Sequence, residues 1–392
     1  MNLNLNSQLN DEERFLCNVI THKDYLDKKT IAELYNKLGD EFIFDLCKKN
    51  KIESIATESL IISLKNKTLP GHWHRCYDSV GNLIRSYMNE LDRVAFLLDS
   101  YEIQLVALKN SGITRSIYPY PGSCPMGDID VLVRKSDFRK AHDILINNAY
   151  ELKFRSPLEE LDIDKAEQSG GSEYQVTLSD GKKLWFELQW RPIAGRWIRP
   201  DQEPNSNELM DRSIEVQGSS VRVLSPEDNL LQVCLHTAKH TYVRAPGFRL
   251  HTDVDRIVRE CDIDWSLFRK HVAKLNVKTA VFFSLFLASE LLRSPVPKYI
   301  LDDFKPSKLK VILISKWLQK IGLFDPDGKK WNKLGYIIFV SLLYDSFGGL
   351  LRGIFPDINW MKSRYNIKNS LLLPYFYVYR VINLLLKRTL NK

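Results

Sequence analysis

Residues 127–135 read GDIDVLVRK, and no other run constrains the fold as tightly. Asp128 and Asp130 straddle Ile129 and run into the apolar triplet Val131, Leu132 and Val133, which reads as a buried strand. Residues i and i+2 of a strand share a face, so Asp128 and Asp130 project together, about 7 Å apart along the backbone, while Ile129 packs inward. Two carboxylates so placed repel, and each raises the pKa of the other unless a cation lies between them. The economical cation is Mg²⁺, with Mn²⁺ as a substitute, because it takes oxygen ligands and pairs with substrate phosphates. Gly127, just before the pair, leaves room for close approach to the backbone. The competing reading is a solvated strand end.

The periodicity around this strand predicts an α+β chain: a small mixed-sheet core flanked by helical regions. Residues 1–98 form an N-terminal helical region, as the period of KKTIAELYNKLGDEFIFDLCKKN and RCYDSVGNLIRSYMNELDRVAFLLDS indicates. Residues 99–224 hold the α/β core, with strands expected at IQLVALKN, DIDVLV, YELKF, SEYQVTL and KLWFELQW, a hairpin turn at SDGKK, and a second hairpin in SIEVQGSSVRVL. Between them, SDFRKAHDILINNA reads as a helix with Ser136 as its N-cap. Residues 225–300 start with SPED, a helix entry with proline in the first turn, and form a helical domain closing the cleft. Residues 301–392 form a C-terminal helical region with 16 lysines and arginines against 6 aspartates and no glutamate.

The chain has 392 residues, 44% of them hydrophobic and 27% charged, which suits globular domains with real cores. MNLNLNSQLNDEERF lacks a basic segment followed by an apolar one, so no signal peptide is expected. Apolar runs such as TAVFFSLFLAS and LGYIIFVSLLY stop short of the roughly 18 residues of a membrane span. A soluble, cytoplasmic protein is expected. The 6 cysteines are scattered without CxxC, so neither a zinc knuckle nor a disulfide framework is indicated.

A third carboxylate comes from KLWFELQW. Glu187 shares a face with Trp185 and Gln189, while Phe186, Leu188 and Trp190 face the core. An acid among these residues needs a compensating partner. Beside Asp128 and Asp130 it would complete a site for two metal ions; a salt bridge to Arg191 or a lysine is the alternative. In LVALKNSG a strand opens directly into a helix, presenting backbone N–H groups to an anion, with Lys109 and the Ser111 hydroxyl nearby.

The run LKNSGITRSIYPYPGSCPMGDIDVLV resembles the motif region of the nucleotidyltransferase superfamily that includes DNA polymerase beta, and more closely its bacterial branch of uncharacterised nucleotidyltransferases. The likeness continues through FELQWRP and VLSPEDNLLQVCLHTAKH, over roughly residues 95–300. It implies a polymerase beta-like core in which Asp128, Asp130 and Glu187 are metal ligands and the Lys109–Asn110–Ser111 turn holds phosphates. The chain departs from that branch at Asn110, where glycine is usual, at Cys124, where arginine often stands, and at Gln189, where histidine usually follows the third acid. Asn110 tolerates the left-handed backbone such a turn needs.

His236 and His240 lie at i and i+4 on one helix face with Lys239 beside them. HTAKH lacks the glutamate of a zinc protease helix. As part of the resembling pattern the three residues would line the cleft opposite the carboxylates; helix packing is the competing reading. Arg249, His251 and Asp253 are weaker cleft candidates, since a helix start capped by Thr252 also explains them. The HWH at 72–74 reads as a surface or packing feature.

These readings predict a Mg²⁺-dependent nucleotidyltransferase. An NTP, ATP being the expected donor, would give its NMP to a hydroxyl or phosphate of a small molecule, peptide or protein, releasing pyrophosphate. Asp128 and Asp130 would hold both ions; Glu187 would complete the site of the activating ion and take the acceptor proton. One alternative is a nucleotide-binding sensor or scaffold without turnover. Another is a peripheral membrane protein whose basic, aromatic C-terminus lies on anionic lipid. Nucleic acid is not expected as a partner, because the basic tail is not organised as an RNA-binding module.

Overall fold

A computed structural model describes residues 9–65, 68–118, 120–155, 161–192, 202–240, 248–321, 323–324 and 333–386. The chain opens with helices α1 (Asp11–Ile20), α2 (Lys28–Leu38), α3 (Asp40–Lys49), α4 (Glu53–Ser63) and the long α5 (Gly71–Asp99). The α/β part follows as β1 (Leu105–Leu108), α6 (Lys109–Ser116), β2 (Asp128–Leu132), α7 (Phe138–Asn147) and β3 (Glu151–Leu152). It continues as α8 (Ile163–Ser169), β4 (Gly171–Thr177), β5 (Lys183–Gln189), α9 (Ser206–Arg212), β6 (Ile214–Glu215) and β7 (Val221–Val223). Then come α10 (Pro226–His240), α11 (Leu250–Glu260), α12 (Trp265–Leu275), α13 (Lys278–Leu292) and α14 (Lys298–Phe304). The last helices are α15 (Lys308–Ile321), α16 (Lys333–Leu342), α17 (Phe347–Ile354), α18 (Ile358–Tyr365) and α19 (Leu373–Leu386).

The seven strands form one mixed sheet in the order β3-β4-β5-β2-β1-β7-β6. Pairings β2–β5 and β1–β7 are parallel and the others antiparallel. Alternation sorts the two faces. Ile129, Val131, Phe186 and Leu188 are fully buried in one cluster with Ile84, Leu91, Val94 and Leu98, which recur at helical spacing along α5. On the opposite face Val106, Leu108 and Leu132 pack against Leu209 and Met210 of α9. The rest of that face carries the acids.

A second core joins N-terminal helices to helices that follow the sheet. Phe15, Ile20, Ile31 and Leu60 of α1, α2 and α4 pack in one cluster with Leu235, Val254, Phe283 and Leu287 of α10, α11 and α13. Helix α13 is apolar on all sides because neighbours surround it. Local signals set several of the boundaries. Asn10 and Glu13 form a reciprocal capping box at α1, Gly39 ends α2 at φ 87°, and Asn276 ends α12 in the left-handed conformation. Ser225 accepts the Asp228 N–H at the start of α10, as SPED predicts.

Three local expectations are corrected. Ser136 does not cap α7, because a 3₁₀ turn over Lys135–Asp137 precedes it and the Ser136 hydroxyl donates to Asp137 instead. Thr252 does not cap α11, which starts at Leu250, so Thr252 lies buried inside the first turn. The YELKF strand shrinks to Glu151 and Leu152, since it pairs only along the sheet edge with β4. The HWH stretch opens α5 as a packing feature: Trp73 is buried and donates to Asp40 over 2.8 Å.

The contact between α6 and β1 is tight. A Cβ on Gly112 would stand 2.7 Å from the Ala107 carbonyl oxygen and 3.2 Å from its carbon. Gly112→Ala therefore has to push α6 off the sheet, at a cost of about 1–3 kcal/mol in urea denaturation. Gly81→Ala, inside α5 with its nearest neighbour at 3.6 Å, is the matched control. It is expected to be stabilising by about 0.5–1 kcal/mol through helix propensity.

Candidate active site

The acids form a row across three neighbouring strands. Asp130 of β2 lies directly opposite Glu187 of β5, and Glu187 directly opposite Glu173 of β4. Asp128, two residues before Asp130, joins them on the same face. Next along the sheet is β1, where Leu108 pairs with Asp130 and the chain turns into α6 at Lys109.

Two cations hold the row together. The Lys109 ammonium lies 2.5 Å from Asp130 Oδ1 and 3.5 Å from Glu187 Oε2. The Arg155 guanidinium donates to Asp128 over 2.7 Å, to Glu187, and to Glu173 over 3.3 Å, while lying 5.4 Å from the Trp185 ring centre. The backbone N–H of Arg155 also donates to Glu173. Gln189 donates its amide to Asp130 over 3.0 Å and to Glu187 over 2.7 Å. Arg191 is turned away to Glu203, so it is not the partner of Glu187.

Four carboxylates thus meet two cations, and the cluster is short of positive charge. Burial, with Glu187 close by, pushes the Asp130 carboxyl well above its usual range. Burial opposes ionisation of Glu187 too, but Lys109 and Arg155 outweigh it and hold that carboxyl down at about 2. For Lys109 burial works against the charge, and Asp130 and Glu187 overcome it, keeping the ammonium above its ordinary range.

The donor set is all carboxylate oxygen with negative charge to spare, which fits a hard divalent cation such as Mg²⁺. Among the described residues, no three His, Cys, Asp or Glu side chains close around a common ion as they stand. Lys109 and Arg155 stand between them instead.

The expected phosphate turn differs in detail. The left-handed residue is Lys109, at φ 50°, and not Asn110. A lysine accepts this strain because both its ends are tied: the ammonium to the acids, the backbone N–H to Gln232 Oε1 at 3.2 Å. The buried Ser111 hydroxyl accepts the Asp130 N–H at 3.0 Å and so fixes α6 to β2. Asn110 is partly exposed between them. Gly127 is exposed, with nothing within 4 Å of where a Cβ would stand.

Gln232 also locates the histidines. Gln232, His236 and His240 recur every four residues along one face of α10, and the stripe starts where Gln232 meets Lys109. The two imidazole rings lie 4.4 Å apart and are partly exposed. The Lys239 side chain lies outside the described residues.

Of the weaker candidates, Arg249, just before α11, donates to the Pro125 carbonyl beside the buried Cys124. Burial pushes the Cys124 thiol up to about 12. Asp253 is buried against the Tyr118 hydroxyl, and burial raises it to about 6.

His251 is a packing residue, buried with Nδ1 3.3 Å from the Ser284 carbonyl; burial depresses it to about 4. A histidine lowered in the folded state leaves stability intact above its unfolded pKa of about 6.5 and removes it as pH falls towards 4. The loss attributable to His251 is about 3 kcal/mol over that window. Asp253 acts in the opposite sense below pH 6, so the readout is a difference: urea denaturation of wild type and His251→Asn at pH 7 and pH 4.5, with the variant less acid-sensitive.

Arg155, Glu173 and Gln232 were not singled out from the sequence. Glu173 carries a readable signal, since SEYQVTL alternates and places Glu173 opposite to the buried Tyr174 and Val176. Arg155 carries none, because it follows a two-residue edge strand.

With this geometry in place, residues 37–293 match the model of a family described as uncharacterised nucleotidyltransferases. The chain belongs to that family. The match begins ahead of the resemblance visible from residue 95 and takes in α3, α4 and α5, the helices that share cores with the sheet and with α10–α13. No curated protein matches. Among solved structures the chain is similar to an antigenic nucleotidyltransferase-like protein from Paracoccidioides brasiliensis. That similarity has 13% identity and a TM-score of 0.32, over 55% of this chain and 95% of the other, and no residue role is drawn from it. Membership of the nucleotidyltransferase family makes transfer of nucleotidyl groups the activity class of this α+β chain.

Proposed function

We propose that this nucleotidyltransferase moves an NMP from an NTP, with ATP as donor, to a hydroxyl or phosphate of a small molecule, peptide or protein, releasing pyrophosphate. The observation that carries the reading is the row Asp130–Glu187 with Asp128 on the same sheet face. Asp128 and Asp130 would hold two Mg²⁺ ions, and Glu187 would complete the ligand set of one. When bound, the ions supply charge neutralisation at the triphosphate and activation of the attacking oxygen.

The chain's own residues do the positioning. Gln189 orients Asp130 and Glu187 by donating to both. Ser111 holds the backbone of Asp130 in register with α6. Lys109, at the start of α6, would turn its ammonium to a β or γ phosphate. His236 and His240 follow Gln232 along α10 and would line the cleft opposite the carboxylates. The acceptor oxygen attacks the α phosphorus, a hydroxyl acceptor giving up its proton to Glu187; a P–O bond forms, and the bond to pyrophosphate breaks. The superfamily likeness to DNA polymerase beta supports this order of events.

The test is incubation of the full chain with α-labelled NTPs, Mg²⁺ and a host extract. Label moved to an acceptor, with pyrophosphate released, is the expected result. ATP binding with no pyrophosphate release in any fraction would favour the sensor or scaffold reading.

A further inference from the structure

The last three helices present apolar surface that the rest of the molecule does not cover. Ten of the 24 large apolar side chains exposed among the described residues fall between Phe347 and Ile382. They form two stripes. Phe347 and Leu351 lie one turn apart on α17, and Phe355 and Ile358 follow at the junction with α18, all four at 40–72% exposure. Tyr375, Val378 and Ile382 recur at three- and four-residue spacing along α19, with Leu371 in the 3₁₀ turn just before it, at 46–85% exposure.

These helices are built as a unit. The Arg380 guanidinium lies 4.5 Å from the Trp360 ring centre and donates to the carbonyls of Gly353 and Ile354 over 2.9 and 3.1 Å. The Tyr377 hydroxyl donates to the Pro356 carbonyl over 2.6 Å, and the Phe355 ring lies 6.2 Å from that of Tyr377. The stripes are therefore the outer side of a packed arrangement.

Charge says what covers them. Residues 347–392 carry 8 lysines and arginines, no glutamate, and one aspartate, Asp357, which is used as the N-cap of α18. Apolar and aromatic side chains interleaved with cations, with acids excluded, complement an anionic lipid surface. Helix α19, at 14 residues, is about 21 Å long and cannot cross a hydrocarbon core of roughly 30 Å. No helix among the described residues is long and apolar enough to span a membrane. We propose that α17–α19 dock in the plane of an anionic phospholipid bilayer, with the two apolar stripes entering the headgroup boundary and Arg352, Lys362 and Lys368 contacting acidic headgroups. The family match ends at residue 293, so this surface lies outside the matched part and is independent of the nucleotidyl-transfer reading.

The test is co-sedimentation of the full chain with vesicles of phosphatidylcholine alone and of phosphatidylcholine with phosphatidylserine, at low and at high salt. Binding only to the serine-containing vesicles, and release by salt, is expected. Two variants follow, Val378→Ser with Ile382→Ser and Arg352→Glu with Lys368→Glu, all at exposed positions, with circular dichroism to confirm folding. Each is expected to lose at least about tenfold in partition. Equal binding to both vesicle types, or a chain that stays in solution with anionic vesicles at low salt, overturns the proposal. So does a dimer in light scattering that the Val378→Ser, Ile382→Ser variant dissociates, or retention by RNA in place of vesicles.

Discussion

Asp128→Ala and Asp130→Asn are each expected to lower metal-dependent nucleotidyl transfer by at least about 10³-fold while leaving a folded protein, because the row of acids acts as a unit. The choice of substitution follows from burial. Asp128 is partly exposed at the start of β2, so alanine removes a carboxylate without opening the core. Asp130 is 4% exposed and touches Lys109, Gln189 and, through its backbone, Ser111. Asparagine keeps its volume and a carbonyl oxygen for the ammonium. Alanine at 130 would leave Lys109 with Glu187 as its remaining partner and confound loss of activity with loss of fold. Circular dichroism and label transfer measured on the same samples separate the two. Transfer at the wild-type rate in either variant removes the assignment.

Lys109→Met is the second large effect, and it falls on stability. The ammonium offsets Asp130 and Glu187, both screened from water, and removing one partner of such a cluster costs about 3–5 kcal/mol. The missing charge is one that a divalent ion can replace. Mg²⁺ is therefore expected to raise the melting temperature of Lys109→Met more than that of wild type, by mass action on a folded state that binds it better. In Lys109→Met with Glu187→Gln the gain should shrink. A melting temperature of Lys109→Met indifferent to Mg²⁺ would mean that the acids do not gather a metal ion. The readout needs neither the acceptor nor the NTP.

Much of the sheet was legible because its strands alternate. DIDVLV and KLWFELQW each place apolar residues on one side, and the structure buries those, Ile129, Phe186 and Leu188, completely. The hairpins around SDGKK and QGSS were legible for the same reason, helped by their turn residues. The register of Asp130 against Glu187 was not, because it belongs to a parallel pairing of strands distant in the chain. Arg155 was not, because one guanidinium at the end of a short edge strand gives no pattern. The left-handed residue was assigned to Asn110 on intrinsic preference, and tertiary ties moved it to Lys109. Nor could local periodicity show that α1, α2 and α4 share a core with α10, α11 and α13, since each helix shows only that it has a buried face.

The tightest test of the row of acids is a crystal structure of the full chain with Mg²⁺ and a non-hydrolysable NTP. Metal ions are expected at about 2.0–2.1 Å from oxygens of Asp128, Asp130 and Glu187, next to the triphosphate, with Lys109 or Arg155 turned from carboxylate to phosphate. A nucleotide bound elsewhere, with both cations still clamped on the acids, would contradict it.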